Sequence, residues 1–374
     1  MEIKKNLMVK KIDLKKFFKN KKILITGHTG FKGSWLSAWL LKFGCKVVGI
    51  SKNIPTKPSN FLSLNLNKKI KNYFINIENF KDVKKIILKE KPNIIFHFAA
   101  QAIVSESYKN PIDTVNTNTI GSLNILHTSS LLKKKCVCIM ITSDKCYFNL
   151  EKNSGYNENS LLGGKDMYSG SKAAAEIILN SYFHSFSKKN KNLLFCTARA
   201  GNVIGGGDWS KDRLIPDIMK AWGKSRKAKI KNSQSIRPWQ HVLEPLYGYM
   251  KTAYYLHNKK ILNGSSFNFG PSSSKSYKVI DLIKNLEIFR KQKKQYVIQK
   301  TYRFKETKIL KLNSLKAKKK LKWKTILNIK EMTFFISDWY NNFFNKKKNM
   351  YDFTINQINQ YEKKIEKDLK SKGI

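Results

Sequence analysis

The chain has 374 residues, 41% hydrophobic and 12% aromatic, which is enough apolar surface to offset the entropy of ordering and excludes a wholly disordered polymer. The length points to one large α/β domain or two fused lobes rather than a single small module. With 73 Lys and Arg against 25 Asp and Glu, the formal charge is +48, a field that draws polyanions by counterion release. Only six of the basic residues are Arg, and the 67 Lys occur in nearly every segment. Readers of phosphates and base edges rely on the planar Arg fork, so a solvated Lys-rich surface is expected, and no specific nucleic-acid binding.

Cys45, Cys136, Cys138, Cys146 and Cys196 form no C-x-x-C pair, and most sit in apolar runs. They are expected as reduced core thiols, and no metal site is expected. The first twenty residues are basic without an apolar stretch of signal length, and no segment is of membrane-spanning length. The expectation is a cytoplasmic chain without membrane association.

From Lys22 onward, short apolar runs alternate with helical patterns, the rhythm of a doubly wound parallel sheet. Ile23 to Thr26 reads as the first strand. Trp35, Leu36, Trp39 and Leu40 recur at helical spacing within Ser34 to Phe43, Gly44 closes that helix, and Lys46 to Ile50 is the next strand. Further strands are expected at Tyr73 to Ile75, Asn93 to Ala99, Val137 to Ser143 and Leu193 to Ala200, with helices near Lys81 to Lys89 and Ile112 to Leu132. Beyond Asn202 the rhythm weakens into loops around Gly205 to Gly207 and Pro271 to Ser274, where a smaller second lobe begins. Tyr351, Ile355, Ile358 and Ile365 predict a terminal helix.

Gly27-His28-Thr29-Gly30-Phe31-Lys32-Gly33 lies between the first strand and its helix. There, glycines let the backbone approach a pyrophosphate, and the helix N-terminus supplies N–H donors. Its placement in the first strand-to-helix turn makes it a dinucleotide-binding signal. Where an acidic residue usually holds the adenosine ribose, the chain has Ser51, Lys52 and Asn53, which leaves NAD and NADP both open at this position. Tyr168 and Lys172 stand at i and i+4, where an ammonium lowers a phenol's pKa from its free value of about 10 and makes the phenolate available as a base. The pair alone is uninformative, because 16 Tyr and 67 Lys in 374 residues give roughly three such pairs by chance. Its position decides: it opens the helix after the fifth strand, which ends in Thr142-Ser143-Asp144 at the carboxyl edge of the sheet. Ser143, Tyr168 and Lys172 thus form a hydride-transfer triad. Asp144 has a competing reading as a turn cap, and His28, His97 and His241 read as core or backbone-bonding residues.

Over roughly Phe17 to Tyr340 the chain resembles the extended short-chain dehydrogenases and, within them, the CDP-glucose 4,6-dehydratases. The resemblance is carried by Thr26-Gly-His-Thr-Gly-Phe-Lys-Gly-Ser-Trp-Leu36, His97-Phe-Ala-Ala-Gln101, Thr142-Ser-Asp-Lys-Cys-Tyr147, Thr197-Ala-Arg-Ala-Gly-Asn-Val-Ile-Gly-Gly-Gly-Asp-Trp209 and Arg237-Pro-Trp-Gln-His-Val-Leu-Glu-Pro245. It departs at Asn53 and Asn76, where the family usually has Asp.

The resemblance implies a Rossmann-type α/β sheet with a smaller C-terminal substrate-binding lobe. Residues 1–20 would be a basic extension, 21–201 the dinucleotide-binding domain, 202–345 mainly the nucleotide-sugar lobe interleaved with the sheet, and 346–374 a Lys-rich terminal helix. It implies NAD held by Gly27, Thr29, Gly30, Phe31, Gly33, Asn76, Ile77, Ala99, Ala100, Gln101, Asn118, Tyr168 and Lys172. It implies CDP-glucose bordered by Asn202, Arg213, Leu214, Ile215 and Arg237. Oxidation at C4 by Ser143, Tyr168 and Lys172 would be followed by loss of water across C5 and C6 with Asp144 as acid and by hydride return to C6. Lys145 would be either the base at C5 or a charge that stabilises the enolate. The nearest alternative is a 4-epimerase, which needs no acid at position 144, or a dehydratase for another nucleotide-sugar. The helices near Ile112 to Leu132 and Tyr168 to Phe186 resemble those that pair in the family's homodimers.

Overall fold

The computed structural model describes residues 12–152, 154–230, 232–271, 277–290, 296–298, 309–346 and 349–371. The central sheet contains β1 (Lys22–Thr26), β2 (Lys46–Ser51), β3 (Lys71–Phe74), β4 (Ile94–His97), β5 (Cys136–Ile141), β6 (Leu193–Ala200) and β7 (Ser266–Phe269). The principal helices are α1 (Leu14–Phe18), α2 (Phe31–Lys42), α3 (Phe80–Glu90), α4 (Gly121–Ser130), α5 (Met167–Tyr182), α6 (Leu214–Gly223), α7 (Leu243–Asn258), α8 (Val279–Arg290), α9 (Ile329–Asn345) and α10 (Met350–Lys370).

The strands lie in the order β7-β6-β5-β4-β1-β2-β3, every pairing parallel. The order reverses between β1 and β4, so a crevice opens at their carboxyl ends, the place where doubly wound sheets bind ligands. The side-chain period of two explains why β5 is apolar throughout. Val137, Ile139 and Ile141 enter one core, whereas Cys136, Cys138 and Met140 enter the other. All five cysteines are buried and free.

The structure differs from the sequence expectation in three places. β7, unforeseen, returns the chain to the sheet edge beside β6 after the loops beyond Asn202. The helix expected over Ile112 to Leu132 consists of Pro111–Val115, a π-helical segment Asn116–Ile120, and α4. Part of the expected basic extension is packed: Leu14 and Phe18 of α1 are in the core, whereas residues 1–11 lie outside the described residues. The loop residues Ser272, Ser273 and Ser274 lie outside them as well.

Helix α2 is covered on both sides. It rests on the sheet, and its Trp35 Nε1 donates to Gly206 O at 2.8 Å. Its far end is held by α10: Trp39 Nε1 donates to Glu362 Oε1 at 2.8 Å, and Lys42 pairs with the other oxygen of the same carboxylate. Burying an aromatic or aliphatic side chain of this size contributes about 1.5–3 kcal/mol. The indole N–H groups of Trp35 and Trp39 are satisfied in the process. No helix among the described residues is long and apolar enough to cross a membrane.

Candidate active site

The glycine-rich turn brings backbone against backbone. Gly27 has φ +72°, and a β-carbon there would lie 2.7 Å from Ala99 N. One on Gly33 would lie 2.3 Å from Gly27 O. Gly30 caps α2 without a side-chain hydrogen bond, so the first N–H groups of α2 face outward as an anion cradle, and Thr29 is fixed beside them by its Oγ1 donating to Asn53 O at 2.7 Å. This arrangement fits the pyrophosphate of a dinucleotide. His28 is a tie within it, bonded to Ser51 Oγ and Asn72 Oδ1 at 3.0 Å each, and burial holds its pKa below the ordinary value. Lys52 lies near the Asp113 carboxylate at 3.8 Å, both well exposed.

The loop after β4 forms the next wall. Ala99 N donates to Thr26 Oγ1 at 3.2 Å, and Gln101 N donates to Asn118 Oδ1 at 2.9 Å. Asn118, buried in the π-helical segment, also donates to Ser171 Oγ of α5 at 2.9 Å, so Gln101, Asn118 and α5 are one unit. Ala100 lies between these anchors, partly exposed. On the β3 side Asn76 Oδ1 accepts from Glu78 N at 3.2 Å. Ile77 is buried against Gly121. His97 is bonded to Thr26 and Ser122 at 2.7 and 2.9 Å, and burial, assisted by the Lys172 charge, brings it down to about 3.

At the carboxyl end of β5 the chain enters a tight turn, Asp144–Cys146, capped by Ser143. Ser143 Oγ accepts from Lys145 N at 3.2 Å and donates to Asp144 Oδ1 at 3.1 Å, and it stands close enough to the Tyr168 hydroxyl to favour its ionised form. Helix α5, capped by Asp166 through Ser169 N at 2.9 Å, presents Tyr168 and Lys172 on one face, with the Lys172 ammonium 6.0 Å from the Tyr168 ring centre. Burial raises the Tyr168 pKa despite the opposing influence of Ser143 and of the Arg213 charge. Burial, then the neighbouring Lys32 ammonium, lowers Lys172 to about 8. The structure therefore gathers Ser143, Asp144, Tyr168 and Lys172 at the sheet's carboxyl edge, each less than one-tenth exposed. Lys145 projects from the same turn and is less buried.

Two further charged residues enter this cluster that the sequence did not single out. Lys32, in the first turn of α2, is brought to about 8 by burial and by the Arg213 charge, against the opposing influence of Asp144 and Asp208. Asp208 holds Arg213 at 3.3 Å, and Arg213 also donates to Ala102 O at 3.3 Å. In a chain with 67 lysines, no residue-level signal marks Lys32. Of the expected substrate residues, Asn202 has φ +49° and its carbonyl accepts from Gln240 N at 3.2 Å. Leu214 is partly exposed, whereas Ile215 packs into the core. Arg237 lies in a separate two-residue pairing with Tyr277–Lys278 and donates to Ile236 O at 3.0 Å. Among the described residues no three His, Cys, Asp or Glu side chains converge on a metal site.

The model of the GDP-mannose 4,6-dehydratase family matches residues 24–334. The chain belongs to this family. A CDP-glucose 4,6-dehydratase of Salmonella typhimurium is 38% identical over 330 residues, covering 87% of this chain and 92% of that protein. A UDP-glucose 4-epimerase of Mycoplasma genitalium is 26% identical, covering 87% of this chain and 97% of that protein. Among solved structures, a dTDP-glucose 4,6-dehydratase from Bacillus anthracis in complex with NAD shares the fold with TM-score 0.70 and 20% identity, over 86% of this chain and 97% of that one. As a member of the GDP-mannose 4,6-dehydratase family, the chain is an α/β enzyme of the Rossmann type, with the seven-stranded parallel order found here.

Proposed function

We propose that the chain is an NAD-dependent CDP-glucose 4,6-dehydratase that forms CDP-4-dehydro-6-deoxy-D-glucose. The observation that carries this reading is the placement of Asp144 and Lys145 on the turn capped by Ser143, beside the buried Tyr168 and Lys172. An epimerase needs the Ser143, Tyr168 and Lys172 groups only, whereas elimination of water needs an acid beside them. The 38% identity to a protein named for this activity supports CDP-glucose as substrate.

The N-terminus of α2 at Phe31, with Gly27, Thr29, Gly30, Gly33, Ala99, Ala100, Gln101 and Asn118, would hold the dinucleotide, and Asn76 and Ile77 would border its adenosine. NAD, when bound there, would supply the hydride acceptor for C4 and the hydride donor for C6. NAD rather than NADP is proposed, in keeping with the NAD bound in the Bacillus anthracis dehydratase of the same fold. Tyr168, whose ionisation the Lys172 ammonium and the positive charge of a bound nicotinamide would favour against the effect of burial, would take the 4-hydroxyl proton while Ser143 holds that oxygen. The C4 ketone acidifies the C5 hydrogen. Asp144 gives its proton to the departing 6-hydroxyl, which leaves as water. The C5 proton passes to a neutral Lys145 or, where Lys145 stays charged and stabilises the enolate, to a water molecule, and a proton returns to C5 as hydride adds at C6. Residues 202–345 would supply most of the nucleotide-sugar lobe through Asn202, Arg213, Leu214, Ile215 and Arg237.

A homodimer is part of this proposal. Ile112, Ile177 and Phe186, at 76%, 52% and 63% exposure, leave an apolar surface on the helices of residues 111–130 and 167–187 that a second copy would cover. The free, buried thiols suit a reducing compartment, the cytoplasm. The test is incubation of the purified protein with CDP-glucose and UDP-glucose separately. Loss of one water from CDP-glucose is expected by mass detection, whereas a product of unchanged mass would make the enzyme an epimerase.

A further inference from the structure

Behind the reacting groups lies a buried charged network that the proposed chemistry does not use. Glu176 stands four residues after Lys172 and eight after Tyr168, on the same face of α5. It is 2% exposed, and Arg199 of β6 is 3% exposed. Their ion pair measures 2.8 Å. One Glu176 oxygen accepts from Thr142 Oγ1, in the residue before Ser143. The other accepts from Thr197 Oγ1 at 2.8 Å. Arg199 then reaches across the turn: its Nη1 donates to the Tyr147 hydroxyl at 2.7 Å and to Glu158 O at 3.2 Å. The Tyr147 hydroxyl in turn donates to Asn268 Oδ1 of β7 at 2.8 Å. The turn bearing Asp144 and Lys145 is thus held at both ends, at Thr142 and at Tyr147, by one ion pair rooted in α5.

We propose that Glu176 and Arg199 are positioning residues of the reaction, locking the helix that carries Tyr168 and Lys172 against the turn that carries Asp144 and Lys145. The inference rests on the dehydratase reading, because only a reaction that uses both sets of groups needs their spacing fixed. Simple fold stability is a weaker account. An apolar pair of the same volume would stabilise the interior as well or better, whereas the forked guanidinium bridges three elements at defined angles. The charge of Glu176 also acts on the site. The groups facing Lys172 are Lys32 from α2, His97 from β4, Cys146 from the turn, and Tyr168 and Glu176 from α5. Of these, Cys146 and Glu176 favour its charged form and Lys32 opposes it.

The test uses Glu176→Gln, Arg199→Lys and Thr142→Val in the full chain, with the wild type as reference. Glu176→Gln removes the negative charge and should lower kcat on the order of a hundredfold, with KM for the nucleotide-sugar nearly unchanged. It should also move the alkaline limb of the kcat/KM profile to lower pH. Thr142→Val leaves the charge and cuts one tie, so kcat should fall while that limb stays in place. Arg199→Lys keeps a cation but loses the fork, with the same expected result. If Glu176→Gln does not fold, the other two variants carry the test. Amide hydrogen exchange gives a readout that needs no substrate: residues 142–148 should exchange faster in each folded variant and α10 should not. Variants that lose thermal stability while keeping wild-type kcat, pH profile and exchange at 142–148 would overturn the proposal. Failure of the wild type to dehydrate CDP-glucose would instead overturn the functional reading, and the exchange result would still decide whether the pair locks the turn.

Discussion

The carboxylate of Asp144 occupies the space in front of the Gly201 α-carbon: a β-carbon on Gly201 would lie 1.8 Å from Asp144 Oδ2. That oxygen is buried and has no hydrogen-bond partner among the described residues, and an unsatisfied buried acceptor suits a group that exchanges a proton with a substrate. Gly201→Ala must therefore swing the carboxylate away while leaving Ser143, Tyr168 and Lys172 in place. The expected outcome is a fall in dehydrated product on the order of a hundredfold with KM for CDP-glucose nearly unchanged. Product mass analysis checks it, and a fully active variant would remove Asp144 from the elimination.

The Lys172 ammonium, lowered to about 8 by burial and Lys32, supports catalysis only while it keeps its proton. Activity should fall as the pH rises through about 8. Lys32→Met removes the cation that depresses it, so the alkaline limb should move to higher pH, the opposite of the shift expected for Glu176→Gln. Initial rates across a pH series in both variants provide the comparison.

Lys145→Met separates oxidation from elimination. The variant should still oxidise the sugar at C4, so cofactor absorbance should rise on addition of CDP-glucose. Deuterium incorporation at C5 from heavy water should then be lost. Undiminished product formation would exclude both roles for Lys145.

Acid stability has an identifiable contributor far from the site. Burial opposes ionisation of Glu90, but hydrogen bonds from Lys71, Tyr73 and Lys22 outweigh it and bring the carboxyl down from 4.5 to about 2. The folded pKa lies below the unfolded one, so this stabilisation is complete above about pH 4.5 and is lost as the pH falls toward about 2. Glu90→Gln should be less stable at neutral pH and lose less on acidification across that window. Thermal melts over the pH range measure both.

What the sequence disclosed and what it concealed follow from the range of the forces involved. The β1-α2-β2 unit was legible because strand period, helix period and Gly44 all act within a few residues of the chain. The break at Asn116–Ile120 was not, since a π-helical segment shifts the helix by a fraction of a turn, and its purpose, aiming Asn118 at Gln101 and Ser171, appears only in three dimensions. Glu176 was within reach, four residues beyond Lys172, but its partner Arg199 arrives on a strand that the sheet brings alongside. β7 was hidden by its brevity, and Lys32 by the abundance of its own residue type.

The tie between Trp39, Lys42 and Glu362 sets an order of events during synthesis. The outer side of α2 around Trp39 and Lys42 lacks its full cover until residues 350–370 have left the ribosome. By then every strand of the sheet has been available to pair. The nascent chain thus carries an open apolar flank on this βαβ unit while the intervening residues are made, a stage at which exposed hydrophobic surface recruits chaperones or other nascent chains. The cover for Trp39 is supplied by a residue 323 positions further along the chain.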